Sequence, residues 1–175
     1  MKENDRAIST LHNLLDYDAL KFNNGEGQLR NILPAWIDLA NSLKLKDVLI
    51  KYLDSVRKHI EGIENFMDNE ALLDVGISSR IMKAHIDEAE DKLSYCTDPE
   101  VRDACLLASV QGINHFKISI YGTAATFANA IGMEKEAAIF HDAEISEKQV
   151  DDRLSQLAKF EINTKAKAPI SLQAN

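Results

Sequence analysis

Little in this chain breaks a helix or ties one down covalently. Its 175 residues include three prolines, seven glycines and two cysteines. Cys96 and Cys105 make no C-x-x-C pair, so the sequence has no thiolate metal signature and two reduced thiols are expected. Cations are outnumbered, with 20 Lys and Arg against 28 Asp and Glu, for a net charge of -8. That balance excludes a phosphate-backbone binder, which needs clustered Lys and Arg, so no nucleic-acid partner is expected. No apolar run approaches the ~20 residues of a membrane helix, and "MKENDRAIST" places no apolar stretch after its charges. The expectation is a cytoplasmic chain with no membrane partner. Gly-x-Ser-x-Gly, His-Glu-x-x-His and a phosphate-binding glycine loop are also missing. No hairpin signal and no repeat of solenoid length appears.

What is present is helical periodicity. Ile8, Leu11, Leu15 and Leu20 predict a helix over 4–22, and "NNGEGQ" then predicts a bend or a tolerated weak point. Leu29, Ile32, Leu33, Trp36 and Leu39 resume the pattern, with Pro34 expected to kink or interrupt it. Asn41 or Ser42 caps a helix over 45–67, whose stripe runs through Val48, Leu49, Tyr52, Leu53, Val56, Ile60 and Ile63. Residues 67–79 read as a connection, and Ser78 or Ser79 caps a helix over 79–95. In "CTDPE", Asp98 caps, Pro99 takes the first helical position and Glu100 suits the positive end of the dipole. That helix runs to Gly132, and a last one covers 133–160. Long amphipathic helices joined by short turns predict an all-α helical bundle. The domain is expected over 1–160, with 161–175 as a flexible tail.

Several stretches resemble one family. "RNILPAWIDLANSLKLKDVLIKYL" resembles its Leu-Pro segment and following amphipathic helix. "HIDEAEDKLSYCTDPEVRDACLLASVQ" is similar to its acidic helix, Asp-Pro turn and Val-Arg-Asp-Ala helix start. "ISIYGTAATFANAIGMEKEAAIF" resembles its Tyr-Gly-Thr segment and alanine-rich run. The family is that of ferritin-like stress proteins of the YciE/YciF type. The resemblance implies a ferritin-like four-helix bundle with an additional helix, a homodimer, and a dinuclear iron site in the bundle core.

Carried over residue by residue, the family's ligand motifs fall on Glu26 in "GEGQL", His59 in "SVRKH", and Glu147 and Asp151 in "SEKQVD". The chain departs from the pattern elsewhere. Ser55 stands where the resemblance expects a glutamate, and Asp54 beside it lies about 100° round the helix. "NHFK" keeps His115 but has Asn114 and Lys117 in place of two carboxylates. Two irons bring at least four positive charges, which this set balances poorly in a low-dielectric core. An inward Lys117 would repel them, but its ammonium could replace the lost cation and pair with Glu26 or Glu147. Asn114, His115, Lys117, Tyr121 and Ser55 are therefore expected to form a core polar cluster, with Glu26, His59, Glu147 and Asp151 as a weak or lost metal site.

His12, His85 and His141 are expected at the surface, "DEAED" at 87–91 as a solvated face, and Trp36 between helices. The expectation is a non-enzymatic, stress-associated structural or interaction module that holds no cofactor, with its protein partner undefined. The alternative is a di-metal oxidase or peroxide-handling protein using iron or manganese, the metals its oxygen and nitrogen donors would suit. A small-molecule binder using the bundle cavity is a third reading.

Overall fold

Helical spacing in the sequence becomes helices in the computed structural model, which describes residues 7–73 and 76–167. The chain runs α1 (Leu11–Leu39), α2 (Leu43–Asn69), α3 (Arg80–Tyr95), α4 (Pro99–Ala130), α5 (Glu134–Leu157), a π turn (Ala158–Ile162) and α6 (Asn163–Ala166). No strand occurs among the described residues. α1, α2, α5 and α4 pack in a closed ring of neighbours, and α3 lies against α1 and α4. Short turns make α1–α2 and α4–α5 antiparallel pairs, and the crossover from α2 to α4 contains α3. This is the ferritin-like plan of four core helices with one added.

The caps follow the sequence. The Ser42, Ser79 and Asp98 side chains accept backbone N–H bonds at the starts of α2, α3 and α4. Gly132, at φ +78°, ends α4, and the Met133 N–H reaches back to the Ala128 carbonyl at 2.9 Å. Three boundaries differ from expectation. α1 starts at Leu11 behind a Thr10 cap, so residues 7–10 are not helical, and 4–6 lie outside the described residues. α1 also continues through Gly25, Gly27 and Pro34. Gly25 lies where α3 begins: a Cβ there would sit 3.4 Å from Ser79. Helix also continues past 160, because Ile162 is fully buried and Glu161 pairs with Lys44 at 2.5 Å. Tail residues 161–166 are therefore part of the packed structure, and 168–175 lie outside the described residues.

One buried aspartate fastens the α1–α2 turn. Asp103 on α4 is fully buried and accepts the Asn41 and Ser42 backbone N–H groups at 2.8 and 2.7 Å. A carboxylate here serves two donors that no helix partner can reach. Asp103→Ala is expected to lose about 2–3 kcal/mol in urea unfolding, because it orphans both donors. A loss under about 0.5 kcal/mol would mean that water replaces the carboxylate.

The core residues repeat every three or four positions. On α1 they are Leu15, Ala19, Phe22, Glu26, Leu29, Leu33 and Trp36; on α2, Leu45, Leu49, Tyr52, Val56, His59, Ile63 and Phe66. One apolar cluster holds Leu29, Leu33, Trp36, Val56, Val110, Ile113, Val150 and Leu154. The other holds Phe22, Ile63, Phe66, Tyr121, Ala124, Phe140 and Ala143. Between them along α1, α2, α4 and α5 falls a polar residue: Glu26, His59, Asn114 and Lys117, and Glu147.

Candidate functional site

Each of the four bundle helices sends its polar residue inward because that residue occupies a position on the apolar stripe. Lys117 is fully buried, as are Asn114, Tyr52, Tyr121 and Glu147, and Glu26 is 2% exposed. The Lys117 ammonium lies 2.9 Å from Glu26 Oε1 and 2.6 Å from Glu147 Oε1. His59 Nδ1 approaches the same two oxygens at 3.5 and 3.3 Å. The remaining carboxylate capacity is partly used by neutral donors. Glu147 Oε2 accepts from Asn114 Nδ2 at 2.6 Å and from the Tyr52 hydroxyl at 3.1 Å. Glu26 Oε1 accepts from the Tyr121 hydroxyl. Asn114 Nδ2 also donates to the Glu147 backbone carbonyl at 2.9 Å, fixing α4 against α5. The ammonium sits 4.8 Å from the Tyr52 ring centroid.

Some contacts are made by distance alone. Glu147 Oε1 is within ion-pair range of Lys117 but not aligned for a hydrogen bond, and His59 Nδ1 and Glu26 Oε2 have no hydrogen-bond partner either. A cavity of about 10 Å³ adjoins Glu26, lined also by Gly25, Ser79, Met82 and Lys117. That is the size of a single water site.

Electrostatics follow the geometry. Burial pushes the Glu26 carboxyl up, but Lys117, then His59 and Tyr121, bring it below the ordinary range. Burial alone would lower the Lys117 ammonium, yet Glu147 and Glu26 raise it above its ordinary value. Tyr52 and Tyr121 are held well above theirs, by burial first and the carboxylates second. The core therefore favours a charged lysine, a charged Glu26 and neutral tyrosines.

Not every residue expected here is here. His115 is 64% exposed and pairs with Asp151 at 2.9 Å on the outside of the α4–α5 pair. Asp151 accepts from Gln111 as well, at 3.2 Å, and is not part of the Glu26, His59 and Glu147 group. Ser55 is half-buried and donates to its own helix, to the Lys51 carbonyl at 3.2 Å. All three leave the cluster for one reason: each sits beside its helix's stripe rather than on it. Tyr52 belongs to the cluster but was read only as an apolar stripe position. Its spacing of seven from His59, two helical turns, was the available signal.

A pair of iron ions does not fit this donor set. Glu26, His59 and Glu147 bring ligand atoms within 4.8 Å of one another. Two carboxylates and one imidazole leave most of the charge and coordination of two irons unmet. The carboxylate oxygens that would bind metal instead face an ammonium, at 2.9 and 2.6 Å.

Comparison with known proteins places the chain in a family. The model of a domain of unknown function, DUF892, matches residues 17–167. The chain belongs to the DUF892 family. YciF of Escherichia coli (strain K12) is 31% identical over 142 residues, covering 81% of this chain and 86% of the relative. The crystal structure of the E. coli stress protein YciF matches with a TM-score of 0.83 at 28% identity, over 90% of this chain and all (100%) of that one. YcfI of Rhodopseudomonas palustris gives 0.82 at 23% identity, over 89% and 98% of the two chains. A two-domain protein of Anabaena variabilis, with DJ-1/ThiJ/PfpI-like and ferritin-like domains, gives 0.65 at 16% identity. It covers 95% of this chain and 42% of that one. The last two speak for the ferritin-like fold alone. This DUF892 chain is thus a YciF-like, ferritin-like bundle with an ammonium between its inward carboxylates.

Proposed function

We propose that this chain is a stress-associated, non-enzymatic bundle protein whose dinuclear metal site has become an internal ion-pair network. One observation carries the reading: the Lys117 ammonium is within 3 Å of both inward carboxylates, at 2.9 and 2.6 Å. The network then serves as a rigid polar layer, and the work of the protein falls to its surface. Its working form is a cytoplasmic homodimer that contacts protein, in keeping with a net charge of -8. The test is elemental analysis of protein purified without chelator from iron- and manganese-supplemented cells. The expected content is well below one iron or manganese per chain. Two per chain would overturn the reading.

A second reading has its own support. Glu26, His59 and Glu147 could hold a single cation if the ammonium withdrew. A cleft of about 300 Å³ between α2 and α5, lined by Lys58, Gly62, Ile139 and Ser146, reaches His59 and Tyr121. Ferrous oxidation that collapses in His59→Ala would favour this oxidase reading. Equal rates in variant and parent would remove it.

A further inference from the structure

α1 and α2 run antiparallel, so the start of α1 meets the end of α2 at the end of the bundle away from the turn that Asp103 holds. His12 and Asp16 of α1 are four residues apart, hence on one face of the helix. Glu70, the C-cap of α2, meets them there. The backbone fixes its position: Ala71 takes φ +52°, and the Leu72 N–H returns to the Met67 carbonyl at 2.8 Å, the left-handed ending of a helix. His12 Nε2 lies 2.8 Å from Glu70 Oε2 and 3.7 Å from Asp16 Oδ1. One imidazole nitrogen and one oxygen from each carboxylate all lie within 4.8 Å of one another. One of these atoms lacks a partner. Asp16 Oδ1 is buried and accepts no hydrogen bond, while His12 Nε2 engages Glu70. Burial pushes the Asp16 carboxyl above its ordinary range; His12 opposes that shift and Glu70 adds to it. No lysine or arginine among the described residues pairs with either carboxylate.

We infer that His12, Asp16 and Glu70 form a zinc site that clips the start of α1 to the end of α2. Donors about 2.0–2.2 Å from one tetrahedral zinc ion lie about 3.3–3.6 Å from each other. The His12 nitrogen is already near that spacing from both oxygens, at 2.8 and 3.7 Å, so small side-chain shifts admit the ion. A neutral imidazole and two carboxylates supply three ligands, and water reaches the fourth position beside the exposed His12. Two carboxylates cancel the charge of one divalent ion, and the orphaned Asp16 oxygen gains the partner it lacks. A mixed nitrogen and oxygen site of this kind prefers zinc to manganese or ferrous iron. The contrast with the core is one of counter-charge. There an ammonium lies between the two carboxylates, whereas here only an imidazole does. The His12–Glu70 contact spans 58 residues of sequence, so the ion would tie the open end of the α1–α2 hairpin. None of the three residues pairs with Glu26, Lys117 or Glu147, so the site stands apart from the core network.

The test is calorimetric titration of zinc chloride into untagged, chelator-stripped full-length protein, with thermal unfolding followed by far-ultraviolet circular dichroism. The expected result is one zinc per chain and a rise in melting temperature that chelator reverses. H12A and E70Q should keep the helical spectrum of the parent and bind at least about tenfold more weakly, since losing even an outer-shell partner of a metal ligand costs about 10–100-fold. H141A removes an exposed imidazole that pairs with Glu144 elsewhere on the surface, and it should bind as the parent does. Anomalous data at the zinc edge from soaked crystals should place the ion among His12, Asp16 and Glu70. Absence of binding, parent-like affinity in both H12A and E70Q, a loss in H141A instead, or an anomalous peak only at another site would overturn the inference.

Discussion

Lys117→Met is expected to cost about 3–5 kcal/mol of folding stability at neutral pH, the range for breaking a buried ion pair by removing one partner. Methionine fills nearly the same volume, so the loss does not come from a cavity. It comes from leaving Glu26 and Glu147 close together, both buried, with no fixed cation. Two carboxylates so placed raise each other's proton affinity, so the variant should gain stability as pH falls towards 5, where one carboxyl takes a proton. The triple variant Glu26→Gln, Lys117→Met, Glu147→Gln removes all three charges at similar shape. It should return to within about 1 kcal/mol of the parent, since an ion pair replaced by well-packed neutral groups is often neutral in its effect. Urea unfolding of the three proteins measures both steps. A single variant as stable as the parent would show that Lys117 is not the counterion of the core.

The second large effect is the shape of the parent's stability against pH. Glu26 has a folded-state affinity for protons below its ordinary 4.5, the net of burial opposed by Lys117, His59 and Tyr121. Its contribution is present above about pH 4.5 and is lost as pH falls through the lower folded value. Lys117 is raised above 10.5 against the pull of burial, by Glu147 and Glu26. Its contribution is complete below that value and is lost as pH rises through the folded one. Tyr52 and Tyr121, raised well above 10.0 by burial and then the carboxylates, add to the same alkaline loss because unfolding lets them ionise. Three buried groups act on the alkaline limb, so stability should fall there as pH rises past the ordinary values of 10.0 and 10.5. The near-ultraviolet tyrosinate signal of Tyr52 and Tyr121 should appear only together with loss of helical circular dichroism. Full ionisation of all tyrosines in a chain still helical would contradict the network.

Much of this was legible in the sequence because the determinants are local. Ser42, Ser79 and Asp98 announce their helices, Gly132 ends one, and the stripe spacing orients four helices around one axis. The sequence left open whether Lys117 faces the core; in the structure its ammonium lies 2.9 and 2.6 Å from Glu26 and Glu147. What was not legible depends on fractions of a turn. His115 follows Asn114 by one residue, about 100° round the helix, which takes it from the buried layer to the surface. Asp151 is four residues from Glu147, but the α5 stripe advances through Val150 and Leu154, leaving Asp151 at its edge. Tyr52 was read for its ring and not its hydroxyl. The burial of Ile162 depends on where α4 and α5 end, which no local pattern in "EINTK" records.

The ferritin-like fold explains why this layer exists at all. Four helices at stripe register must place some residue at each level of the core, and polar residues at one level must answer one another. A metal pair is one solution, and a lysine between two glutamates is another. The second needs no cation from solution, and it still leaves Glu26 Oε2 and His59 Nδ1 short of hydrogen bonds.

The most direct test is a crystal structure of protein purified and crystallised without chelator and supplied with ferrous iron, with anomalous data across the iron edge. The account predicts no iron peak among Glu26, His59 and Glu147, and Lys117 Nζ within about 3 Å of both carboxylates, the span of a charged hydrogen bond. Two anomalous peaks bridged by those carboxylates, with Lys117 turned away, would contradict it.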